Sequence, residues 1–376
     1  MTDPTSKEVL QAYLDCRARK RGKDSTTAYE LDLTANIIDT TVALRERTWA
    51  PGSSMCFVVT HPKPREVWAA TFADRIVHHV IYNRLRPRIE PRFIPTSFAC
   101  IPGRGTLAAA AWAHQAMARV TDSWSKPAWA LQMDVANFFP SIDRQLLWDM
   151  FAAHCTEPWL AQATSRIVHH DVRTDAHFPG DKRKLRLLDR RKSLWFTPDG
   201  KGLPIGNLTS QFAANVYLDA ADQFVHHRLR PRFYGRYVDD LLLLDADKAR
   251  LLEARDAIAE FMRDTLGLHM HTGKTRLQPV SHGIDFVGWR LMPHRRYLRR
   301  RTANQATANI RALADAPPGD IRATVNSYCG LACHGTTWNL RGKWLRLTTP
   351  HPQLVGVPDR SKVLLRKESP CLTTPA

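Results

Sequence analysis

The chain has 376 residues, 44% of them hydrophobic and 24% charged, which is enough for two or three domains or subdomains with a real core and excludes large-scale disorder. Its 54 Lys and Arg against 36 Asp and Glu give a net charge of +18, which favours a polyanionic partner. No run approaches the ~20 apolar residues of a membrane span, MTDPTSKEVL does not read as a secretory leader, and seven scattered cysteines fit a reducing cytoplasm better than a disulfide framework.

Taken in chain order, residues 6–22 carry Val9, Leu10, Tyr13 and Leu14 at helical spacing and end in the basic run RARKRGK. A second helix is expected over 27–47. Pro51, Gly52 and HPKPR then break helicity, and MCFVVTHPK reads as a strand entering a turn. Residues 72–89 read as a helix up to Pro87. WALQMDV, residues 129–135, suits a buried strand, and FPSID is a turn in which Asp143 reads as an N-cap for QLLWDMFAAH. Residues 171–202 are basic and weakly periodic, a hairpin or an ordered loop. Asn207 stands where it can cap a long helix with Leu208, Phe212 and Val216 on one stripe.

RFYGRYVDDLLLLDAD reads as two β-runs meeting at Val238-Asp239-Asp240, with Leu241 to Leu244 buried on both faces. A helix is expected over 247–266, ended by Gly267. After FVGWRLM comes the basic stretch HRRYLRRRT, then two helices split by a turn at 317–320. The last 25 or so residues read as a tail.

Chemistry is suggested by acids placed among apolar residues. Two adjacent carboxylates repel each other, and burying them unpartnered costs several kcal/mol. Asp239-Asp240 precede four leucines, and Asp134 ends the run LQM, so a cation is expected among them. Carboxylate oxygens without Cys or His suit a hard ion, Mg²⁺ first. In a straight strand Asp239 and Asp240 face opposite ways; at a hairpin turn both approach one site.

At these residues the sequence resembles reverse transcriptases. Tyr237-Val238-Asp239-Asp240, after Arg236, matches the YxDD box, and Asp134 to Phe139 match the motif that carries the other metal-binding Asp. Gly202-Leu203-Pro204-Ile205-Gly206 through Ser210-Gln211 resemble the nucleotide-pocket motif, and Phe286-Val287-Gly288-Trp289 the primer grip. Lys63, Arg65, Asp74-Arg75 and FACIPGRG (98–105) resemble the fingers motifs. These boxes occur in the family's order over roughly residues 50–345.

The resemblance implies an α+β right-hand polymerase fold with an antiparallel palm sheet, fingers and a helical thumb. The expected divisions are an N-terminal helical extension (1–49), fingers (50–130), palm (131–145), fingers or basic insertion (146–201), palm with primer grip (202–292), thumb (293–346) and tail (347–376). It implies an RNA-directed DNA polymerase working through two Mg²⁺ ions held by Asp134, Asp239, Asp240 and the Val135 carbonyl. The nucleotide-binding set is Lys63, Arg65, Phe139, Ile205, Gly206, Gln211 and Lys274. In it Lys63 meets the phosphates, Arg65 lies against the base and Phe139 is the steric gate. Lys274 is either a helper of pyrophosphate departure or a surface lysine. Partners are template RNA, primer or cDNA and dNTPs, in the cytoplasm, with no membrane.

Ile205 replaces a Gln widespread in the family, and the motif ends Ser210-Gln211. IGNLTSQ, AYLDCRARKRGK, SHGIDFVGW and SYCGLACHGTTWNL closely resemble the enzymes of diversity-generating retroelements. Those copy a template RNA with errors opposite adenine (mutagenic retrohoming) and work with a small basic accessory variability protein. A retron or anti-phage defence enzyme is the alternative, and a non-polymerising RNA-binding cofactor is a further one. The stretch DKRKLRLLDRRK (181–192) is open between holding template RNA, holding the accessory protein, and forming a solvated face.

Overall fold

In the computed structural model, residues 2–18, 22–60 and 63–366 are described. Arg19, Lys20 and Arg21 of the basic run, His61 and Pro62 of the strand-to-turn segment, and residues 367–376 with Cys371 lie outside the described residues. The chain divides into two units, one of Met1–Gly103, Leu131–Leu243 and Ala249–Arg276, the other of Arg104–Ala130, Leu244–Lys248 and Leu277–Ala376.

The first unit opens with helix Ser6–Arg17, closed at its N-terminus by a reciprocal Thr5–Glu8 capping box. Its buried stripe is Val9, Ala12, Tyr13 and Cys16. Leu10 and Leu14, expected in that stripe, are exposed, because a helical period of 3.6 puts the small residues, not the leucines, on the Val9–Tyr13 face. The single helix expected over 27–47 is two, Asp24–Leu31 and Leu33–Arg45, separated at Asp32, whose ψ of 40° leaves the helical region.

Strands β1 (Ser54–Val59) and β2 (Arg65–Ala70) pair antiparallel from Ser54↔Ala70 to Val59↔Arg65. Helix Phe72–Ile89 follows, with Pro87 inside its last turn. Thr71 Oγ1 accepts the Asp74 amide at 3.1 Å, and the Asp74 carboxylate accepts from the Thr71 hydroxyl at 2.7 Å and the Gly52 amide at 3.1 Å. Asp74 therefore fixes the corner before this helix.

β3 (Trp129–Asp134) is followed by Asn137 in the left-handed region, φ 49°, and the short turn Phe138–Ser141. Asp143 caps the next helix, Arg144–Ala152, accepting from the Gln145 and Leu146 amides, each at 3.0 Å. The basic stretch is ordered but is no hairpin. β4 (Ala176–His177) runs parallel to β1, and 3₁₀ turns cover Lys182–Leu187, Arg190–Lys192 and Leu194–Phe196. Asp181 and Asp189 start the first two turns by accepting from Arg183 and Arg191 amides. The buried Glu66 carboxylate anchors the third, accepting from Ser193 Oγ at 2.7 Å and from the Leu194 amide.

β5 (Phe233–Tyr237) and β6 (Asp240–Asp245) form a hairpin, and β6 lies between β5 and β3. Leu241 to Leu244 are at most 1% exposed, as a strand covered on both faces requires, and each contributes about 1.5–3 kcal/mol by burial. Helix Leu208–Phe224 and the helix beginning at Lys248 and ending at Leu266 complete the unit. Tyr217, fully buried, donates to the Leu266 carbonyl at 2.7 Å.

In the second unit, β7 is Arg276–Pro279. β8 (Ile284–Phe286), β9 (Trp289–Met292) and β10 (Arg295–Leu298) form a sheet of order β10-β9-β8, antiparallel throughout. Helices Arg300–Ala312, Pro318–Ala332 and Trp338–Arg346 follow. The Pro-Pro-Gly-Asp sequence does separate the first two, but Pro318 already lies in the second. The expected tail contains a folded piece. β11 (Leu354–Gly356) and β12 (Val363–Leu365) pair antiparallel. Val363 is fully buried and exchanges hydrogen bonds with Asn326 at 2.7 and 3.0 Å. A Pro- and Thr-rich composition missed this, because one buried valine and one amide suffice to dock a short hairpin.

The architecture is α+β, with antiparallel pairing of β1 with β2, of β9 with β8 and β10, and of β11 with β12, and a parallel pair, β1 with β4. Among the described residues no helix is long and apolar enough to cross a membrane.

Candidate active site

The site is built around the ends of two neighbouring strands. Asp134 ends β3 with 9% exposure, and Asp239 sits in the turn between β5 and β6. The Val135 amide donates to the Asp239 carbonyl at 3.3 Å, which places the two acidic segments side by side. On the other side of Asp134, the His271 amide donates to its carbonyl at 2.7 Å, and the Ala136 amide donates to the His269 carbonyl at 2.8 Å. These bonds bring in the 3₁₀ turn Thr272–Lys274. Lys274 Nζ then donates to Asp134 Oδ1 at 2.5 Å. Lys274 is thus an ion-paired lysine at the site, although its side chain is 46% exposed.

The electrostatics follow from crowding. Burial and the neighbouring Asp134 charge raise Asp239 above the usual carboxylate range, while Lys274 and Arg65 pull it down. Asp240 opens to solvent on one side, yet the protein packed around it, Asp239 and Asp134 push it up to about 7. One ammonium does not neutralise three acids. Among the described residues no group of three or more His, Cys, Asp or Glu side chains is arranged to hold a metal ion, and one of the three acids, Asp134, is paired with Lys274. The donor set still fits a hard divalent ion. It is all carboxylate and carbonyl oxygen, with excess negative charge held at raised pKa.

A carboxyl with a raised folded pKa favours the folded state at low pH, and that contribution is lost as pH rises from the ordinary carboxylate range through about 7. A divalent ion binds the ionised form. The melting temperature gained on adding Mg²⁺ should therefore be small at pH 6 and larger at pH 8. A gain independent of pH between those values, in paired melts with Mg²⁺ or chelator, contradicts the reading.

Lys63, Arg65, Phe139, Ile205, Gly206, Gln211 and Lys274 all line one cleft, together with Val135, Asp239 and Asp240. Its volume is about 1940 Å³, counting space open to solvent. Local structure explains the convergence. The Ile205 carbonyl accepts the Trp68 amide at 2.7 Å, which sets the pocket loop against β2 and Arg65. Gly206 has φ 136°, and a Cβ there would lie 2.6 Å from the Trp68 carbonyl, so only glycine permits this approach. The Leu203 amide donates to the Phe139 carbonyl at 2.9 Å, tying the same loop to the turn after β3. Asn207 precedes the helix as expected, but its side chain is not the cap. Its Oδ1 accepts the Ala70 amide at 3.2 Å instead. Leu187, Leu188, Asp189 and Lys192 of the basic stretch also line the cleft.

Phe286, Val287, Gly288 and Trp289 lie in the second unit, where β8 turns into β9 through Val287 and Gly288, both at positive φ.

Sequence reasoning missed a buried network beneath the turn. Arg236 and Asp222 are both 0% exposed and paired at 2.6 Å. Arg236 appeared only as the residue before a motif. An arginine alternating with strand-core residues, and an aspartate on an apolar helix face, were the available signals. Above them Val238 has φ 53°, a conformation costly for a β-branched residue, of order 1–3 kcal/mol.

Residues 61–291, more than half of the chain, match the family described as reverse transcriptase (RNA-dependent DNA polymerase). The chain is 22% identical over 273 residues to Protein YkfC of Escherichia coli strain K12, covering 62% of this chain and 64% of that protein's length. Among solved structures it is similar to apo telomerase from Candida tropicalis truncated from the C-terminal domain, with TM-score 0.46 and 9% identity. That match covers 71% of this chain and 60% of the other. It is also similar to telomerase from Candida albicans in complex with a fragment of telomeric RNA, with TM-score 0.46, 11% identity and coverage of 79% and 54%.

Proposed function

The chain belongs to the reverse transcriptase family, and we propose that it is an RNA-directed DNA polymerase that copies a template RNA into cDNA with frequent errors opposite adenine, as the enzymes of diversity-generating retroelements do. The observation that carries the polymerase reading is the single cleft that gathers two acids of the hairpin turn with seven nucleotide-side residues from four separate segments. The subtype rests on Ile205 and the Ser210-Gln211 ending.

In this reading Asp134, Asp239, Asp240 and the Val135 carbonyl hold two Mg²⁺ ions. Bound there, the ions supply activation of the primer 3′-hydroxyl and neutralise charge on the leaving pyrophosphate. Lys63 meets the triphosphate. Arg65 lays its planar guanidinium against the base. The ring of Phe139 faces the sugar and blocks a 2′-hydroxyl. Lys274 leaves Asp134 and assists departure of pyrophosphate, and Phe286 to Trp289 hold the primer end. The basic stretch 181–192 contributes phosphate contacts to template RNA. A small basic accessory variability protein is the expected partner, in the cytoplasm.

Ile205 offers the incoming nucleotide a surface without a hydrogen bond. A polar contact discriminates when it is stronger for the correct pair, so replacing it by an apolar surface lowers fidelity. The test is primer extension on a defined RNA with Mg²⁺ and sequenced products, with and without the accessory protein. Ile205→Gln should reduce misincorporation opposite adenine several-fold. An unchanged error spectrum removes the fidelity role of Ile205, and no extension by the wild-type protein with its partner present removes the polymerase reading.

A further inference from the structure

We propose that Arg236 is a positioning residue that holds the Val238-Asp239 turn in its left-handed backbone and so fixes where the two hairpin acids stand. This rests on the polymerase reading only for its activity readout. The observation is a guanidinium used on all its faces. Nε donates to both Asp222 oxygens at 2.8 and 3.0 Å, and Nη2 to Asp222 Oδ2 at 2.6 Å and Ser97 Oγ at 3.2 Å. Nη1 remains, and it donates to Asn215 Oδ1 at 3.3 Å and to the Val238 carbonyl at 2.9 Å.

The clamp is itself fixed from three elements. Helix Leu208–Phe224 supplies Asp222 and Asn215, and Asn215 Nδ2 donates to the Ala99 carbonyl at 2.7 Å. The Tyr234 hydroxyl of β5 donates to Asp222 Oδ1 at 2.6 Å. The segment at 96–98 brackets the arginine backbone, since the Arg236 amide donates to the Thr96 carbonyl and the Phe98 amide to the Arg236 carbonyl, each at 3.0 Å. A fully buried cation of this kind needs a partner for every donor, and one of those partners is the only carbonyl between Tyr237 and Asp239. A valine at φ 53° reverts to extended backbone unless its surroundings over-determine it. The bidentate, forked geometry matters: a lysine reaches Asp222 or Val238 but not both.

Arg236→Lys keeps the buried charge opposite Asp222 and drops the arm to Val238. Glycine adopts positive φ freely, so Val238→Gly in the Arg236→Lys background relieves the need for the clamp. We expect Arg236→Lys to lower kcat tenfold or more, with the KM for dNTP within twofold. Hydrogen exchange of the 238–240 amides should accelerate while exchange in helix Leu208–Phe224 stays the same. Adding Val238→Gly should recover at least threefold in kcat. Should Arg236→Lys not fold, the apolar pair Arg236→Met with Asp222→Leu removes the ion pair as a unit and is read the same way. Wild-type kcat in either variant, or a defect that Val238→Gly does not relieve, overturns the proposal. Exchange at 238–240 that is unchanged in a folded variant overturns it whether or not the chain polymerises, which keeps its failure distinct from that of the polymerase reading.

Discussion

Asp239→Ala is expected to abolish dNTP incorporation, a loss of about a thousandfold or more, of the size seen when a preorganised electrostatic stabiliser is removed from a transition state. Three further outcomes separate this from unfolding. RNA affinity should stay within twofold, because binding to a polyanion is carried by Lys and Arg contacts to phosphate and the change removes a negative charge. The melting temperature in chelator at pH 8 should be unchanged or higher. Asp239 has a raised pKa from burial and Asp134, so its ionised form opposes folding above the ordinary carboxylate range, and deleting it relieves that opposition. The melting-temperature gain from Mg²⁺ should fall away with activity. Retained polymerisation by the purified variant, at a rate within tenfold of the parent, sinks the assignment of Asp239.

Phe139→Val is expected to open the cleft to ribonucleotides. The ring is held from below by Phe138, which is buried, with the two centroids 5.3 Å apart. Its backbone carbonyl accepts the Leu203 amide at 2.9 Å, so the backbone of the turn is held in place when a 2′-hydroxyl arrives. Steric discrimination by one apolar contact is worth roughly a hundredfold. The ratio of kcat/KM for dNTP over rNTP should therefore fall by about that factor, through a gain in rNTP use and not through a loss of dNTP use. A ratio that is unchanged would show that the sugar is read elsewhere.

Much of this site was legible in the chain. The apolar strand carrying Asp134, the hairpin at Val238-Asp239-Asp240 and the buried leucines 241–244 follow from alternation of apolar runs with turn residues. The structure puts them where those rules require. The acids among hydrophobic residues signalled a charged centre without any fold. Sequence spacing did less well where helical phase decides, as at Leu10 and Leu14, and where a single buried residue docks a polar segment, as at Val363.

The sequence by itself determined which residues carry charge, which strands are apolar and which turn joins them, because these depend on neighbours within a few positions. Only the tertiary structure decided who partners whom. It turned Asp134 onto Lys274, sent Asn207 to Ala70 in place of its own helix, and buried Arg236 between Asp222, Ser97, Asn215 and the Val238 carbonyl. Those pairs join residues as far as 140 positions apart. No local preference encodes such a contact; it exists because buried donors and acceptors must all be satisfied at once.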